Sequence, residues 1–206
     1  MADTIVRSRL CGLKDIYVAE VTANDGTNYT TGTPIKLARA LTAKITDKFN
    51  TEKEYSDDGI EDVIETYEST DVEISVNTLA PQDYSMLFEN LYENGFLLKA
   101  AGDNSKEIAL GFRAKRRNGK YEFTWLYCGK LERPDQNYAT QEDKTKTQTA
   151  TLKGSFYARQ KEDVINGVRK NFYSIQVDES NLLEGDTTAK AAIADWFSKV
   201  QEYKAK

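Results

Sequence analysis

The chain has 206 residues and a formal net charge of −5, because it contains 28 Lys and Arg residues and 33 Asp and Glu residues. It contains no histidine, which excludes Ser-His-Asp and Cys-His nucleophile pairs and any zinc site built on imidazole. The acidic balance also argues against a protein that binds duplex DNA, which usually carries a basic surplus. We therefore expect a protein that is not an enzyme and that needs no cofactor or metal.

Alternation of apolar and polar residues, the pattern of half-buried strands, dominates the chain. An Asn118-Gly119 pair between two alternating segments suits a type I′ turn, so residues 107–128 are predicted to form one hairpin. The apolar positions of the alternating segments are, in chain order, Leu41, Ala43 and Ile45; Val72, Ile74 and Val76; Ile108, Leu110 and Phe112; Tyr121, Phe123, Trp125 and Tyr127; Leu152, Gly154 and Phe156; and Tyr173, Ile175 and Val177. These patterns predict a mainly β (α+β) fold.

Two segments show the helical spacing of apolar residues. Residues 81–94 begin at a proline, end before a glycine and carry an apolar stripe formed by Tyr84, Leu87, Phe88 and Leu91. Residues 187–200 carry a second stripe, and the charged tail after Val200 is expected to fray. Residues 179–188 are predicted to be a short linker before this second helix.

Residues 49–65 fit neither pattern and join two predicted strands through an acidic segment. A structureless connection of this length is uncommon inside a compact domain and is usually functional or disordered. The segment nevertheless contains apolar residues, which suggests an exposed arm that docks on another surface. The candidate contact residues are Phe49, Tyr55, Asp57, Asp58, Gly59 and Ile60.

Two clusters of charged residues are candidate sites, one for a cation and one for phosphate groups. The acidic residues between Asp57 and Asp62 could hold a cation such as Ca²⁺, but their spacing is not that of an EF-hand loop, and a solvated acidic loop is the simpler interpretation. The basic residues around the Asn118-Gly119 pair could contact phosphates, but a hairpin end kept soluble by charge fits an acidic chain better.

The aromatic row from Tyr121 to Tyr127 is open to two interpretations. Tyr121, Trp125 and Tyr127 could line the sugar-binding face of a carbohydrate-binding module, and a carboxylate-based glycoside hydrolase is a more distant possibility. An aromatic row at strand spacing is more often part of a sheet core or a subunit contact. We expect the second interpretation.

Cys11 and Cys128 lie far apart and form no C-x-x-C pattern, so we expect reduced thiols, with one disulfide left as an alternative. The sequence shows neither a leader-like segment nor an apolar run of about 18 residues, and we expect neither secretion nor a membrane span.

A series of short motifs runs along nearly the whole chain. They are Gly12-Leu-Lys-Asp-Ile-Tyr-Val-Ala19, Tyr29-Thr-Thr-Gly-Thr-Pro-Ile-Lys-Leu-Ala38, Tyr55-Ser-Asp-Asp-Gly59, Leu110-Gly-Phe112, Asn118-Gly-Lys-Tyr121, Trp125-Leu-Tyr127, Gly129-Lys-Leu-Glu-Arg-Pro134, Tyr138 to Asp143, Gln148-Thr-Ala-Thr151, Gly154-Ser-Phe156 and Ala194-Asp-Trp-Phe197. In this order and spacing the chain resembles the major tail protein, or tail tube protein, family of long-tailed phages and prophages of Gram-positive bacteria. It departs from the family in its longer N-terminal extension (residues 1–10) and in Cys128, where a charged residue is expected.

The resemblance implies a β-sandwich or partly closed barrel with a flanking helix and a C-terminal helix. Residues 1–178 would form the tail-tube domain, with the stacking loop 49–65 and helix 81–94, and residues 179–206 the linker and C-terminal helix. Hexameric rings of the protein would stack into a tube through which DNA passes without specific binding. The implied partners are other copies of the chain and the tape measure, tail terminator and distal tail proteins. The implied location is the virion tail, and the host cytoplasm before assembly.

Overall fold

The computed structural model describes residues 5–56, 59–136 and 149–203. Within them the chain is mostly strand, with one large antiparallel sheet and two short helices flanking it, which confirms the predicted mainly β class. The strands are β1 (Leu10–Asn24), β2 (Tyr29–Thr31), β3 (Ile35–Lys36), β4 (Ala40–Ser56), β5 (Gly59–Val76), β6 (Leu91–Glu93), β7 (Phe96–Leu98), β8 (Ile108–Arg116), β9 (Tyr121–Leu131), β10 (Ala150–Tyr157), β11 (Glu162–Ile165), β12 (Val168–Asn171) and β13 (Ser174–Asp178). The helices are α1 (Pro81–Leu87) and α2 (Thr187–Ala194), and a 3₁₀ turn spans Glu179–Asn181.

The large sheet has the strand order β2-β1-β8-β9-β10-β5-β4. Two further strands join it, since β3 pairs with β1 and β13 pairs with β9. The pairs β6–β7 and β11–β12 are separate two-stranded hairpins. β4 and β5, and likewise β8 and β9, are neighbours both in the chain and in the sheet, and each pair is antiparallel.

Both faces of the sheet are covered by apolar side chains. On one face, Ile16 of β1 and Leu126 of β9 belong to a core that is closed by Leu87 of α1 and by Phe88, the residue that follows the helix. On the other face, the aromatic residues of β9 pack against the C-terminal segment, which includes the buried Trp196. Alternation along the central strands therefore supplies two cores, one to each face.

The predicted helix 81–94 is wrong in its second half, since α1 ends at Leu87. The backbone of Phe88 is already extended, and the chain then forms hydrogen bonds to residues 104–106. Gly95 does not end a helix. It forms, with Asn94, a two-residue turn at positive φ between β6 and β7.

The predicted C-terminal helix 187–200 is also shorter, because α2 spans Thr187–Ala194 and continues in turns. Two residues of the tail expected to fray are anchored: Gln201 is 5% exposed, and Glu202 pairs with Arg159 and Lys161. The predicted linker is partly structured by the 3₁₀ turn, in which the backbone amide of Ser180 donates to the side chain of Asp178.

The hairpin predicted over residues 107–128 is confirmed as β8 and β9, but its turn is of another type. Of the two turn residues, only Gly119 has positive φ, at +87°. The amide of Gly119 donates to the carbonyl of Arg116 at 3.0 Å, and the amide of Arg116 donates to the carbonyl of Lys120 at 2.8 Å. These bonds define a three-residue turn that ends in a glycine bulge, in place of type I′.

Candidate assembly surface

The described residues of the segment 49–65, expected to be an irregular connection, belong to the paired strands β4 and β5. The two strands pair from Ala40 and Val76 at one end to Ser56 and Gly59 at the other. The far side of β5 is paired with β10 only between Thr70 and Val76. Residues 48–56 and 59–69 therefore form a two-stranded extension of the sheet, which we call the ribbon.

One face of the ribbon carries most of its exposed apolar side chains, and the other face carries most of its acidic side chains. Residues that pair across an antiparallel ribbon point to the same side, and the register pairs Phe49 with Tyr67, Lys53 with Val63 and Tyr55 with Ile60. The exposed fractions on this face are 49% for Phe49, 68% for Tyr55, 54% for Ile60 and 46% for Val63. Positions on the opposite face include Glu52, Glu54 and Asp62, together with Ile64, which pairs with Glu52 and is 41% exposed.

Two β-bulges keep most of the apolar residues of β4 and β5 on the same face of the ribbon. The register shifts between Lys48 and Phe49, and again between Glu54 and Tyr55, so that one residue of β5 is left without a partner at each place. Without the second shift, Ile60 would not share a face with Tyr55. The bulges also explain why the sequence of β5 shows no simple alternation in this segment.

The apolar face of the ribbon is the outward continuation of the sheet's core face. Along β4, Ala43 and Ile45 pack on the core, and Phe49 follows in the same alternation. Phe49 meets Tyr67 edge to face at 5.7 Å between ring centroids, and Tyr67 stacks on Tyr173 at 4.0 Å. Beyond this aromatic contact, every described residue of the ribbon from 51 to 65 is exposed.

A groove of about 440 Å³ opens at the inner end of this face. Its lining is apolar for the most part and is contributed by β1, β4, β8, β9 and β13. The aliphatic side chains and the phenylalanine in this lining are Leu10, Leu13, Ala43, Ile45, Phe112, Ala114 and Leu126. The groove shows that β4 curls towards β1 without pairing with it along its length, so the sheet is only partly closed.

β4 is also an open sheet edge. It spans 17 residues and pairs with β5 on one side. Within the described residues, its other side carries no strand partner. A long unpaired edge is a template for pairing with another chain, and monomeric proteins usually shorten or cover such edges.

The structure brings four of the six predicted contact residues together on the ribbon: Phe49, Tyr55, Gly59 and Ile60. Asp57 and Asp58 lie outside the described residues. The cation hypothesis depends mainly on these two positions. Among the residues that are described, no group of three or more His, Cys, Asp or Glu side chains is placed to hold a metal ion.

The aromatic row of β9 is covered by the C-terminal segment. Phe123, Trp125 and Tyr127 are at most 4% exposed. The indole N–H of Trp125 donates to the carbonyl of Trp196 at 3.0 Å, and the hydroxyl of Tyr127 donates to the carbonyl of Gln201 at 3.1 Å. The row is a core packed against the chain's own tail.

A buried arginine that the sequence reasoning did not single out anchors this tail. Arg159 is 1% exposed and lies over the rings of Tyr29 and Tyr127, at 5.2 and 4.4 Å from their centroids. Its guanidinium pairs with Asp163 and, at 2.7 Å, with Glu202. Arg159 and Glu202 are 43 positions apart, so no local sequence pattern predicts the contact between them.

Some of the basic residues near the β8–β9 turn form salt bridges and others do not. Arg116 pairs with Glu122 and Asp178 inside the fold, and Arg113 pairs with Asp15. Burial by itself would raise the pKa of Asp15, but hydrogen bonds from Lys36 and Arg113 outweigh it and lower the pKa. These arginines are therefore structural.

Comparison of the chain with protein-family models and with curated protein sequences gave no match. Within the described residues, no helix is long and apolar enough to cross a membrane. The inference of function therefore depends on the geometry of the ribbon and on the sequence resemblance.

Proposed function

We propose that the protein is a structural virion protein that assembles into stacked, hexameric rings and so forms a phage tail tube. The observation that carries the proposal is the ribbon, which extends the core face of the sheet beyond the body and leaves it uncovered. The resemblance of the sequence motifs to tail tube proteins supports the same function independently of the ribbon geometry.

A ribbon of this kind needs a partner for energetic reasons. A two-stranded hairpin is marginally stable in water by itself, because it buries too little apolar surface to offset its lost conformational entropy. The exposed apolar residues of the ribbon, which are Phe49, Tyr55, Ile60, Val63 and Ile64, add the cost of apolar surface left in water. Docking on another copy would remove both costs at once.

Ring closure also accounts for the open edge of β4. In a ring, each copy presents one surface to the copy before it and another to the copy after it, so that no edge remains unpaired. The same arrangement explains why a monomer can retain a 17-residue edge strand. Repeated stacking of the rings would then build the tube.

The proposal assigns no catalytic residue, cofactor or metal to the chain. DNA would pass through the tube without specific binding, and an acidic wall would favour this passage because it repels phosphates. The net charge of −5 per copy is compatible with such a wall. The proposed partners are further copies, the tape measure protein, the tail terminator and the distal tail protein, and the proposed location is the virion tail, after synthesis in the host cytoplasm.

The carbohydrate-binding alternative receives no support from the site. Trp125 and Tyr127 are 0% and 1% exposed, and a sugar-binding platform requires exposed rings. Tyr121 is the partly exposed member of the row, and it lies under the guanidinium of Arg113 at 4.7 Å.

Sedimentation velocity over a wide range of protein concentration tests the proposal. We expect species much larger than a monomer to appear above a threshold concentration, because ring closure and stacking are cooperative. A single monomeric species at every concentration, combined with binding to a glycan array, would contradict the proposal and support the alternative.

A further inference from the structure

One end of the molecule carries exposed cations beside exposed apolar residues. The cations are Arg7, Arg9, Lys115, Arg117 and Lys120, all on the solvent-exposed side of the N-terminal segment and of the β8–β9 turn. The apolar residues are Ile5, Val6 and Leu10, which are 63%, 42% and 53% exposed. We call these eight residues the basic end.

The basic end is held firmly in place by the body. The amide of Val6 donates to the side chain of Asn181 at 2.7 Å, and the amide of Arg117 donates to the carbonyl of Arg9 at 2.9 Å. Arg116 donates from its guanidinium to the carbonyl of Ser8 at 2.6 Å. Because the backbone is fixed, the exposed side chains form a defined surface.

We propose that the basic end of one copy receives the ribbon of a neighbouring copy. This contact rests on the proposed function and names its receiving surface. It assigns a role to the N-terminal extension, whose exposed described residues are all apolar or basic. The occupant is thus a second copy of the same chain.

Charge complementarity is the first argument for this occupant. The described residues of the ribbon between positions 49 and 65 carry five carboxylates, on Glu52, Glu54, Glu61, Asp62 and Glu65, against the single Lys53. Within the described part of the chain, no ion pair is formed by any of these five carboxylates, nor by Arg7, Arg9, Lys115 or Arg117. Opposite charges on two exposed surfaces set the orientation of docking and speed association.

Apolar complementarity is the second argument. The ribbon presents Phe49, Tyr55, Ile60 and Val63 on one face, and the basic end presents Ile5, Val6 and Leu10. Leu10 also lines the mouth of the apolar groove. Both surfaces therefore combine an apolar area with a charged area, and the charges have opposite sign.

The topology places the two surfaces at the same end of the sheet. β5 and β9 both pair antiparallel with β10, so they run in the same direction and begin at the same end, at Gly59 and Tyr121. No described hydrogen bond or ion pair joins the ribbon to the basic end of its own chain. Neighbours side by side could therefore repeat one contact around a ring, as a heterologous interface requires. The contact would then lie within a ring, in place of the stacking contact between rings that the resemblance implies for residues 49–65.

Charge reversal on each surface provides the first test. We expect Arg9→Glu with Arg117→Glu, and separately Glu52→Lys with Glu54→Lys, to raise the threshold concentration for assembly at least tenfold. Combining all four substitutions restores opposite charges and should recover most of the loss. The matched control is Lys170→Glu with Lys199→Glu, two exposed lysines outside both surfaces, which should leave the threshold within about twofold.

Cross-linking locates the contact directly. One chain, made larger by a tag, carries Glu54→Cys and Cys11→Ser, and it is mixed with the untagged natural chain, in which Cys11 is exposed and Cys128 is buried. A short bismaleimide should join the two chains into a product of intermediate size. Neither chain alone can form that product, and tagged chains that lack the new cysteine control for specificity.

The results of these experiments distinguish a failure of the proposed contact from a failure of the proposed function. The proposed contact would be contradicted if mixtures that form tubes gave no mixed product. It would also be contradicted if both charge reversals left assembly unchanged. Neither result would contradict the proposed tube function. A natural chain that stays monomeric at all concentrations would contradict both. Circular dichroism and thermal melting of each variant show whether a loss of assembly is due to unfolding.

Discussion

The ribbon should be separable from the folded body. We consider a variant in which residues 51–65 are replaced by Asn-Gly, a pair that closes a two-residue type I′ turn. The turn would connect Asn50 to Thr66, which already pair across the ribbon. The body, both cores and the paired part of β4 and β5 are retained.

The expected effect on stability follows from what the segment buries. Every described residue from 51 to 65 is exposed, and none belongs to either core. An isolated two-stranded hairpin contributes close to zero by itself, so the free energy of unfolding should change by less than about 1 kcal/mol. For a protein of this size, that corresponds to a shift in Tm of less than about 4 °C.

Thermal melting followed by circular dichroism measures this shift, and Leu152→Ala provides the contrast. Leu152 is 0% exposed, and removing such a side chain costs about 2–5 kcal/mol, which lowers Tm by roughly 4–20 °C. The ribbon variant should melt cooperatively near the natural Tm yet form no tubes in sedimentation. A fall in Tm as large as that of the core variant, or a loss of cooperativity, would refute the reasoning and place the ribbon in the folding core.

Three further predictions concern the body. In Gly129→Ala, the new methyl group would lie 2.4 Å from the ring of Phe156, so overpacking should cost about 1–3 kcal/mol in a denaturation experiment; an unchanged midpoint would show that the ring can move aside. Burial raises the pKa of Cys128 to about 12 and Cys11 is exposed, so a thiol reagent at pH 8 should label one thiol in the native protein and two in denaturant; rapid native labelling of both would contradict the burial. Hydrogen bonds from Thr27 and Asn28 lower the pKa of Asp25 to about 2. Because the unfolded value is about 3.9, the stabilisation by Asp25 is complete above that pH and is lost as the pH falls through about 2. The difference in Tm between the natural protein and Asp25→Asn should therefore shrink between pH 5 and pH 2, and a constant difference would contradict the assignment.

Much of the sheet could be predicted from the sequence, because central strands with one or two buried faces require regular alternation. β8, β9 and β10 follow their apolar patterns closely, and β9 places its aromatic row on a single face. The wrong secondary-structure predictions lie in segments where tertiary contacts override the local sequence pattern. Phe88 continues a helical stripe but leaves α1, because the chain there pairs with residues 104–106.

The ribbon could be predicted as a docking arm but not as a hairpin. Both of its faces are exposed, so burial imposes no alternation, and two bulges shift the pairing register. One signal was present: the Asp58-Gly59 pair is typical of a tight turn between two strands. The basic end could not be assembled from sequence, because Arg9 and Arg117 are 108 positions apart and meet only through the fold.

Negative-stain microscopy of the concentrated protein tests the central claim most directly. If the ribbon docks on a neighbouring copy, the natural protein should form hollow rings or stacked tubes, and the Asn-Gly ribbon variant should show only small particles under the same conditions. Small monomeric particles of the natural protein at high concentration, or tubes formed equally well by the ribbon variant, would contradict the account.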